Sequence, residues 1–233
     1  MTEINGIERI TMLDLYNKVT GQAWSMFDGE VESQDEFETN VTTSLNKALT
    51  YLYNSYNFPF RERTYIFFTK NNKADYSCPV GNITQSIIDG KKGFNVFLNG
   101  KTPLTYITDY RTLEEKTGKP EYFYKKQDKI YLYPTPDDRY IITVDYLSIL
   151  PVCSEEEIEK AALENETDYI NIPEYLSELF MGALMPLTMW NYLIASESDE
   201  NSSAYQIQYE RAFKQLIKYA KGINTEKRIG WRS

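Results

Sequence analysis

The spacing of apolar residues changes period twice along this chain, and that change limits the folds open to it. From Ser33 to Tyr56, Phe37, Val41, Leu45, Ala48, Leu49, Leu52 and Tyr56 recur at three- and four-residue intervals, which makes one stripe of a helix. Ser33 or Gln34 opens that helix, and Asp35, Glu36 and Glu38 suit the positive end of its dipole. Phe58-Pro59-Phe60 closes it, because Pro59 pushes Phe58 out of helical geometry. A shorter helix from Thr11 to Val19, capped by Thr11, precedes it.

From about residue 61 to 150 the period falls to two. Thr64 to Thr69 is rich in aromatic and β-branched residues, and Asn71-Asn72-Lys73 follows as a turn. Tyr76 to Val80 is an edge segment, since Pro79 cannot donate to a central ladder. Ile83 to Ile88 and Phe94 to Leu98 flank a turn over residues 89–93. Ile130 and Leu132 alternate with Tyr131 and Tyr133. After Pro134-Thr135-Pro136-Asp137-Asp138, Tyr140, Ile142, Val144 and Tyr146 share a face, so the spacing predicts a hairpin across that turn. Asp109 to Lys116 reads as one or two helical turns ended by Gly118 and Pro120.

Beyond residue 150 the helical period returns. Glu155 to Leu163 reads as a polar, exposed helix. Pro173 suits a first helical turn, and Leu176, Leu179, Phe180, Ala183, Leu184, Leu187 and Trp190 form a broad apolar face, with Pro186 inside it expected to kink or split the run. A last helix carries Tyr205, Tyr209, Ala212, Phe213, Leu216, Ala220 and Ile223. The expected class is α+β: an antiparallel sheet or sandwich in the middle, packed with a helical bundle built from both ends. The expected organisation is residues 1–60 helical, 61–150 β-rich, 151–223 helical, and 224–233 a basic tail.

Chemistry is constrained by what the chain lacks. It has no His among 233 residues, which removes Ser-His and Cys-His nucleophile activation and the commonest metal ligand. Cys78 and Cys153 have no paired spacing and read as reduced, packed thiols. Gly100-Lys101-Thr102 resembles the end of a phosphate loop, but Asn95 stands where that loop needs Gly and Pro103 follows at once; a hairpin turn accounts for it. Asp137-Asp138 reads as turn chemistry and Glu155-Glu156-Glu157 as a helix start, neither having calcium-loop spacing. No catalytic, cofactor or metal site is expected, and the chain is expected not to be an enzyme.

Net charge is −9, which argues against wrapping nucleic acid but suits a channel wall along which DNA slides. No stretch is apolar enough to insert in a membrane, and the first residues lack a signal-peptide layout, so synthesis and assembly in the cytoplasm are expected. The twenty Tyr suit half-exposed strands and interfaces, or else simply follow coding composition. Tyr106, Tyr122 and Tyr124 are candidates for stacking sugars in an alternative reading as a sugar- or receptor-binding β-module.

Three stretches together resemble the head-to-tail connector family called tail tubular proteins of short-tailed phages, including the neck ring proteins of crAss-like phages. They are Phe58-Pro59-Phe60 leading into Thr64 to Thr69; Tyr76-Ser77-Cys78-Pro79; and Thr117 to Tyr124 with Lys129 to Asp137 and Tyr140 to Tyr146. Ile172-Pro173-Glu174-Tyr175 continues the likeness into the C-terminal helices. The resemblance implies a dodecameric homo-oligomeric ring in the virion neck, below the portal protein or against adjacent ring proteins. Genomic DNA would pass through its lumen without sequence-specific binding. In the basic tail, Lys227, Arg228, Trp231 and Arg232 are expected to dock on a neighbouring ring or the portal, ordering on assembly.

Overall fold

Thr11 starts the first helix by a reciprocal exchange with Asp14. Its hydroxyl accepts from the Asp14 amide at 3.2 Å, while its own amide and hydroxyl donate to the Asp14 carboxylate at 3.2 and 2.9 Å. Amides with no partner inside the helix are thereby satisfied.

The computed structural model describes residues 2–4, 7–24, 34–88, 90–196 and 202–229. A hairpin of β1 (Thr2–Ile4) and β2 (Ile7–Arg9) leads into α1 (Met12–Trp24) and α2 (Gln34–Asn54). A 3-10 turn, Pro59–Arg61, then opens β3 (Glu62–Phe68), β4 (Asp75–Ser77), β5 (Gly81–Ile83) and β6 (Gln85–Ile88). Next come β7 (Lys91–Phe94), β8 (Val96–Leu98), β9 (Thr102–Pro103), β10 (Thr105–Tyr106) and β11 (Thr117–Gly118). The β-rich middle ends with β12 (Tyr122–Lys126), β13 (Lys129–Tyr133), β14 (Thr135–Pro136) and β15 (Ile141–Ser148). Short strands β16 (Val152–Cys153), β17 (Glu159–Lys160) and β18 (Tyr169–Ile170) precede α3 (Ser177–Ala195) and α4 (Ser202–Ile229). The class is α+β, with helices at both ends of a β-rich middle.

Contacts divide the chain into two compact units, Met1–Phe60 with Leu150–Ser233, and Arg61–Ile149. In the first, the stripe of α2 (Leu45, Leu49, Leu52) meets Phe180, Leu184 and Leu187 of α3 and Leu216 of α4. Phe58 and Phe60 stack at 5.0 Å on this core, so the segment that ends α2 also contributes to its burial. In the second, β15 is central, pairing with β3, β8 and β5. A further sheet runs β10-β12-β13-β4. The inward residues Ile142, Val144, Val96 and Leu98 of the first sheet and Phe123, Ile130 and Leu132 of the second form one cluster, a sandwich core.

Several sequence expectations fail, each for a local reason. Lys129–Tyr133 and Ile141–Ser148 are not partners: β13 pairs with β12 and β4, whereas β15 lies in the other sheet. Pro134 and Pro136 have no amide to carry a ladder across, and β14 pairs in parallel with β11 instead. Residues 109–116 form no helix; the Tyr110 ring stacks 4.4 Å from Tyr124, and the Lys116 carbonyl accepts from the Thr135 amide at 2.8 Å, so strand contacts hold the segment.

Glu155 to Leu163 is a hairpin rather than a helix. The Ser154 amide donates to the Ile158 carbonyl at 3.0 Å, Glu157 takes a left-handed φ of 63°, and Val152 and Cys153 pair with Lys160 and Glu159. Ile158 is exposed, so a helix here would bury no apolar stripe. α3 continues through Pro186 without splitting, because Ala183 and Leu184 before it and Leu187, Thr188 and Met189 after it are all buried. The turn predicted over residues 89–93 is shorter, since Ile88 pairs with Lys91. Leu98 to Thr102 is the expected hairpin turn: Asn99 and Gly100 have φ of 52° and 67°, and the Lys101 amide donates to the Leu98 carbonyl at 3.2 Å.

Candidate interaction surfaces

α4 has two unlike faces. Tyr209, Leu216 and Ala220 are buried, whereas Arg211, Lys214, Lys218 and Lys221 are exposed, at intervals that align them on one side. Arg211, Lys214 and Lys218 make no ion pair among the described residues. The stripe continues a charge asymmetry of the whole chain. Residues 211–233 hold seven of its 25 Lys and Arg and one of its 34 Asp and Glu, a net charge of +6 against −15 for residues 1–210. Of the residues expected to dock, Lys227 and Arg228 lie within α4, which runs to Ile229 rather than giving way to a tail at residue 224. Trp231 and Arg232 lie outside the described residues. The sequence reading took the cations near the end and missed those at 211–221, which share a helix with an apolar stripe.

Tyrosines gather on the outward face of β12 and β13. Tyr124 and Tyr131 are register partners stacked at 4.8 Å, Tyr110 stacks on Tyr124 at 4.4 Å, and Tyr122 lies 6.3 Å from its partner Tyr133. Burial pushes the Tyr124 hydroxyl pKa up, with the neighbouring Tyr131 and Tyr110 adding to it. Tyr106 packs on Phe94 and Phe123 at 4.8 and 5.3 Å. Of the three tyrosines considered for sugar stacking, Tyr124 is thus engaged by two parallel rings inside its own unit. On the other sheet Ile66, Phe68 and Ile141 are exposed, and the Arg139 guanidinium sits 4.3 Å above the Phe68 ring.

The possible chemical groups are occupied structurally. Burial pushes the Cys78 thiol up despite Lys125 nearby, the opposite of an activated nucleophile. Asp137 accepts from the Tyr140 hydroxyl at 2.7 Å and Asp138 from the Arg139 amide at 2.7 Å, in a turn. Among the described residues no three His, Cys, Asp or Glu side chains converge as metal ligands, and no helix is long and apolar enough to cross a membrane. One cleft of about 490 Å³ lies between α1 and α2, bordered by Met12, Leu13, Tyr16, Glu38 and Glu166. The sequence reading did not find it, because Glu166 comes from a loop far along the chain.

What these surfaces offer is contact area and charge. Comparison with known proteins agrees with that character. No individual curated protein matches the sequence. A protein-family model described as SU10 adaptor protein matches residues 11–229, across both helical regions and the β-rich middle. The chain belongs to the SU10 adaptor protein family, structural virion proteins of the phage head-to-tail region.

Proposed function

We propose that the chain is the repeating subunit of a ring in the head-to-tail connector, seated below the portal and encircling the DNA exit channel. The ring is dodecameric, as in the short-tailed phage and crAss-like neck proteins the sequence resembles. The observation that carries this reading is the family match over residues 11–229. The charge distribution supports it. Residues 1–210 carry a net −15, which suits a conduit that DNA crosses without adhering. The cationic end of α4 supplies a contact for an acidic neighbour, and in this reading Lys227, Arg228, Trp231 and Arg232 are its docking residues.

The alternative of a sugar- or receptor-binding module draws less support, since Tyr124 is already stacked against Tyr110 and Tyr131. The test is mass measurement and electron microscopy of the purified protein, alone and with a candidate portal protein. A closed ring of copies seated on the portal is the expected result. A chain that stays monomeric with every virion partner overturns the proposal.

A further inference from the structure

The larger sheet of the β-rich unit ends in β3, which pairs with β15 alone among the described residues. The Thr69 amide donates to the Tyr140 carbonyl at 2.9 Å. The two-residue alternation of an antiparallel ladder therefore turns the backbone groups of Phe67 and Tyr65 toward β15, and those of Phe68, Ile66 and Thr64 away from it. Those three residues form an open edge. Ile66 is 57% exposed and Phe68 49%. From Thr64 to Phe68 the strand holds no charged residue and no Pro, the types that usually keep such an edge from pairing.

A second open edge lies on the other side of β15. The Asp145 carbonyl accepts from the Thr84 amide at 2.9 Å, and its amide donates to the Asn95 carbonyl at 3.0 Å. By the same alternation these bonds leave β15 on the side away from β3, and there the β6–β7 hairpin departs from the sheet. The Asn95 amide donates to the Thr84 carbonyl at 2.9 Å, so Ser86 and Ile88 bond to β7 while the backbone groups of Gln85 and Ile87 face outward. Ile88 lines a groove with Phe94, Pro103, Leu104 and Tyr106. Its neighbour Ile87 points the other way and is 72% exposed. A hairpin of four pairs is marginal in water until a further strand or a packed face supports it.

Both edges present alternate backbone groups around one exposed isoleucine, and they stand on opposite sides of one strand. β3 pairs only with β15 and β6 only with β7 among the described residues, so both edges stay open within a single chain. Charge favours their meeting between copies. Lys92, the exposed cross-strand partner of Ile87, shares its face, and the outward face beside Ile66 carries Glu62 and Asp145, the latter bonded by the Thr64 hydroxyl at 2.8 Å.

Resting on the ring reading above, we propose that the β6–β7 hairpin of one copy adds to the β3 edge of the next copy, with Ile87 beside Ile66. Backbone hydrogen bonds supply the attachment and the two isoleucines its register. A β3–β3 contact would be isologous and close at two copies. The β6–β3 contact is heterologous, and repeated with a closing rotation it makes a ring. Each contact need be only weak by itself, because closure makes the last one intramolecular.

The test places a benzophenone amino acid at position 87 of the full-length chain and irradiates it at rising protein concentration up to millimolar, alone and with a candidate portal protein. The expected product is a dimer whose cross-linked peptide, read by mass spectrometry, contains residues 64–68. Ile66→Lys in the receiving copy should lower its yield at least tenfold. Without the photoprobe, Ile66→Lys and Ile87→Lys should each weaken self-association at least tenfold in sedimentation, and Ile66→Lys combined with Ile87→Glu should recover it. Both side chains are exposed, so thermal melts of these variants should match the parent; a variant that unfolds is replaced by Ile66→Thr or Ile87→Thr, with the same direction expected. No cross-link between copies, cross-links outside β3, or a β3 edge that cross-links to the portal instead overturns the inference. Rings that form unimpaired by Ile66→Lys sink this contact and leave the ring reading standing. A β6–β3 cross-link in a protein that never closes a ring sinks the ring reading and leaves the contact.

Discussion

The ammonium of Lys160 lies 3.0 Å from the carboxylate of Asp168, whose side chain is 1% exposed. The other carboxylate oxygen accepts from the amides of Glu164 and Asn165, each at 2.9 Å, and the Asp168 carbonyl accepts from the Met12 amide at 2.8 Å. One residue thus closes the loop before β18 and ties it to the start of α1. Burial pushes the Asp168 carboxyl pKa up, but the bonds from Asn165, Glu164 and Lys160 outweigh burial and leave it lowered. A lowered folded-state pKa contributes stability that is present above the ordinary value of 3.8 and lost as pH falls through the folded-state value. Asp168→Asn is expected to cost roughly 2–4 kcal/mol near neutral pH and to reduce the steepness of acid unfolding below about pH 4. With no His in the chain, the stability of either protein should change little between about pH 5 and 8. Urea unfolding at pH 7, 5 and 3 checks all three statements.

Asn46 reaches across the sequence to Leu163. Its amide nitrogen donates to the Leu163 carbonyl at 3.2 Å and its oxygen accepts from the Leu163 amide at 2.8 Å. A side chain from the middle of α2 therefore satisfies both backbone groups of a buried loop residue. Asn46→Leu removes both bonds and is expected to cost about 1–3 kcal/mol. The loop around Leu163 should then exchange its amide hydrogens faster while the centre of α2 stays protected, as hydrogen exchange by mass spectrometry would read. A variant as stable as the parent refutes the assignment.

How much of this was legible in the sequence differs by residue. The α2 stripe from Phe37 to Leu52 and the Thr11 cap were legible because their determinants lie within a few residues of one another. The Leu98 to Thr102 turn was legible because Asn-Gly chemistry is local. The pairing of β15 was not: Ile142 and Val144 show which face is buried but not whether Leu98, Phe67 or Leu132 lies alongside. Glu155 to Leu163 misled because helix propensity is a weak prior that strand pairing overrides. The cleft at Glu38 depends on Glu166, which only the tertiary fold brings near.

Gly81 is needed for close approach rather than for an unusual backbone angle. It pairs with Ser148 at the end of β15, and a Cβ placed there would overlap the Leu147 carbonyl and press on the Tyr146 ring. The Leu147 carbonyl is backbone in the central strand of its sheet and cannot swing aside. Gly81→Ala is expected to cost about 2–4 kcal/mol through overpacking and to break the β5–β15 pairing. Gly21→Ala, at a helical position with open space around it, is the matched control and should be neutral or stabilising by up to about 1 kcal/mol. The Gly81→Ala melt should fall while the Gly21→Ala melt holds or rises; equal shifts would refute the steric account.

The stacked Tyr110, Tyr124 and Tyr131 separate a packing role from a binding role. If the rings stabilise the β-rich unit, Tyr124 and Tyr131 should couple by about 0.5–1.5 kcal/mol in a double-mutant cycle to Leu, beyond the area each buries. Tyr131 sits opposite Tyr124 in the ladder, where cross-strand aromatic pairs interact most directly. Tyr122 is 37% exposed and 6.3 Å from Tyr133, so Tyr122→Leu should leave stability within about 0.5 kcal/mol of the parent. If a partner surface uses this face, Tyr122 is the ring with area left to give. Its replacement should weaken assembly while the Tyr124 variant weakens folding. Urea denaturation and sedimentation of each variant read the two effects separately. The reverse pattern, with Tyr122→Leu unfolding the protein and Tyr124→Leu leaving it stable, would show that the stack is not what holds this face together.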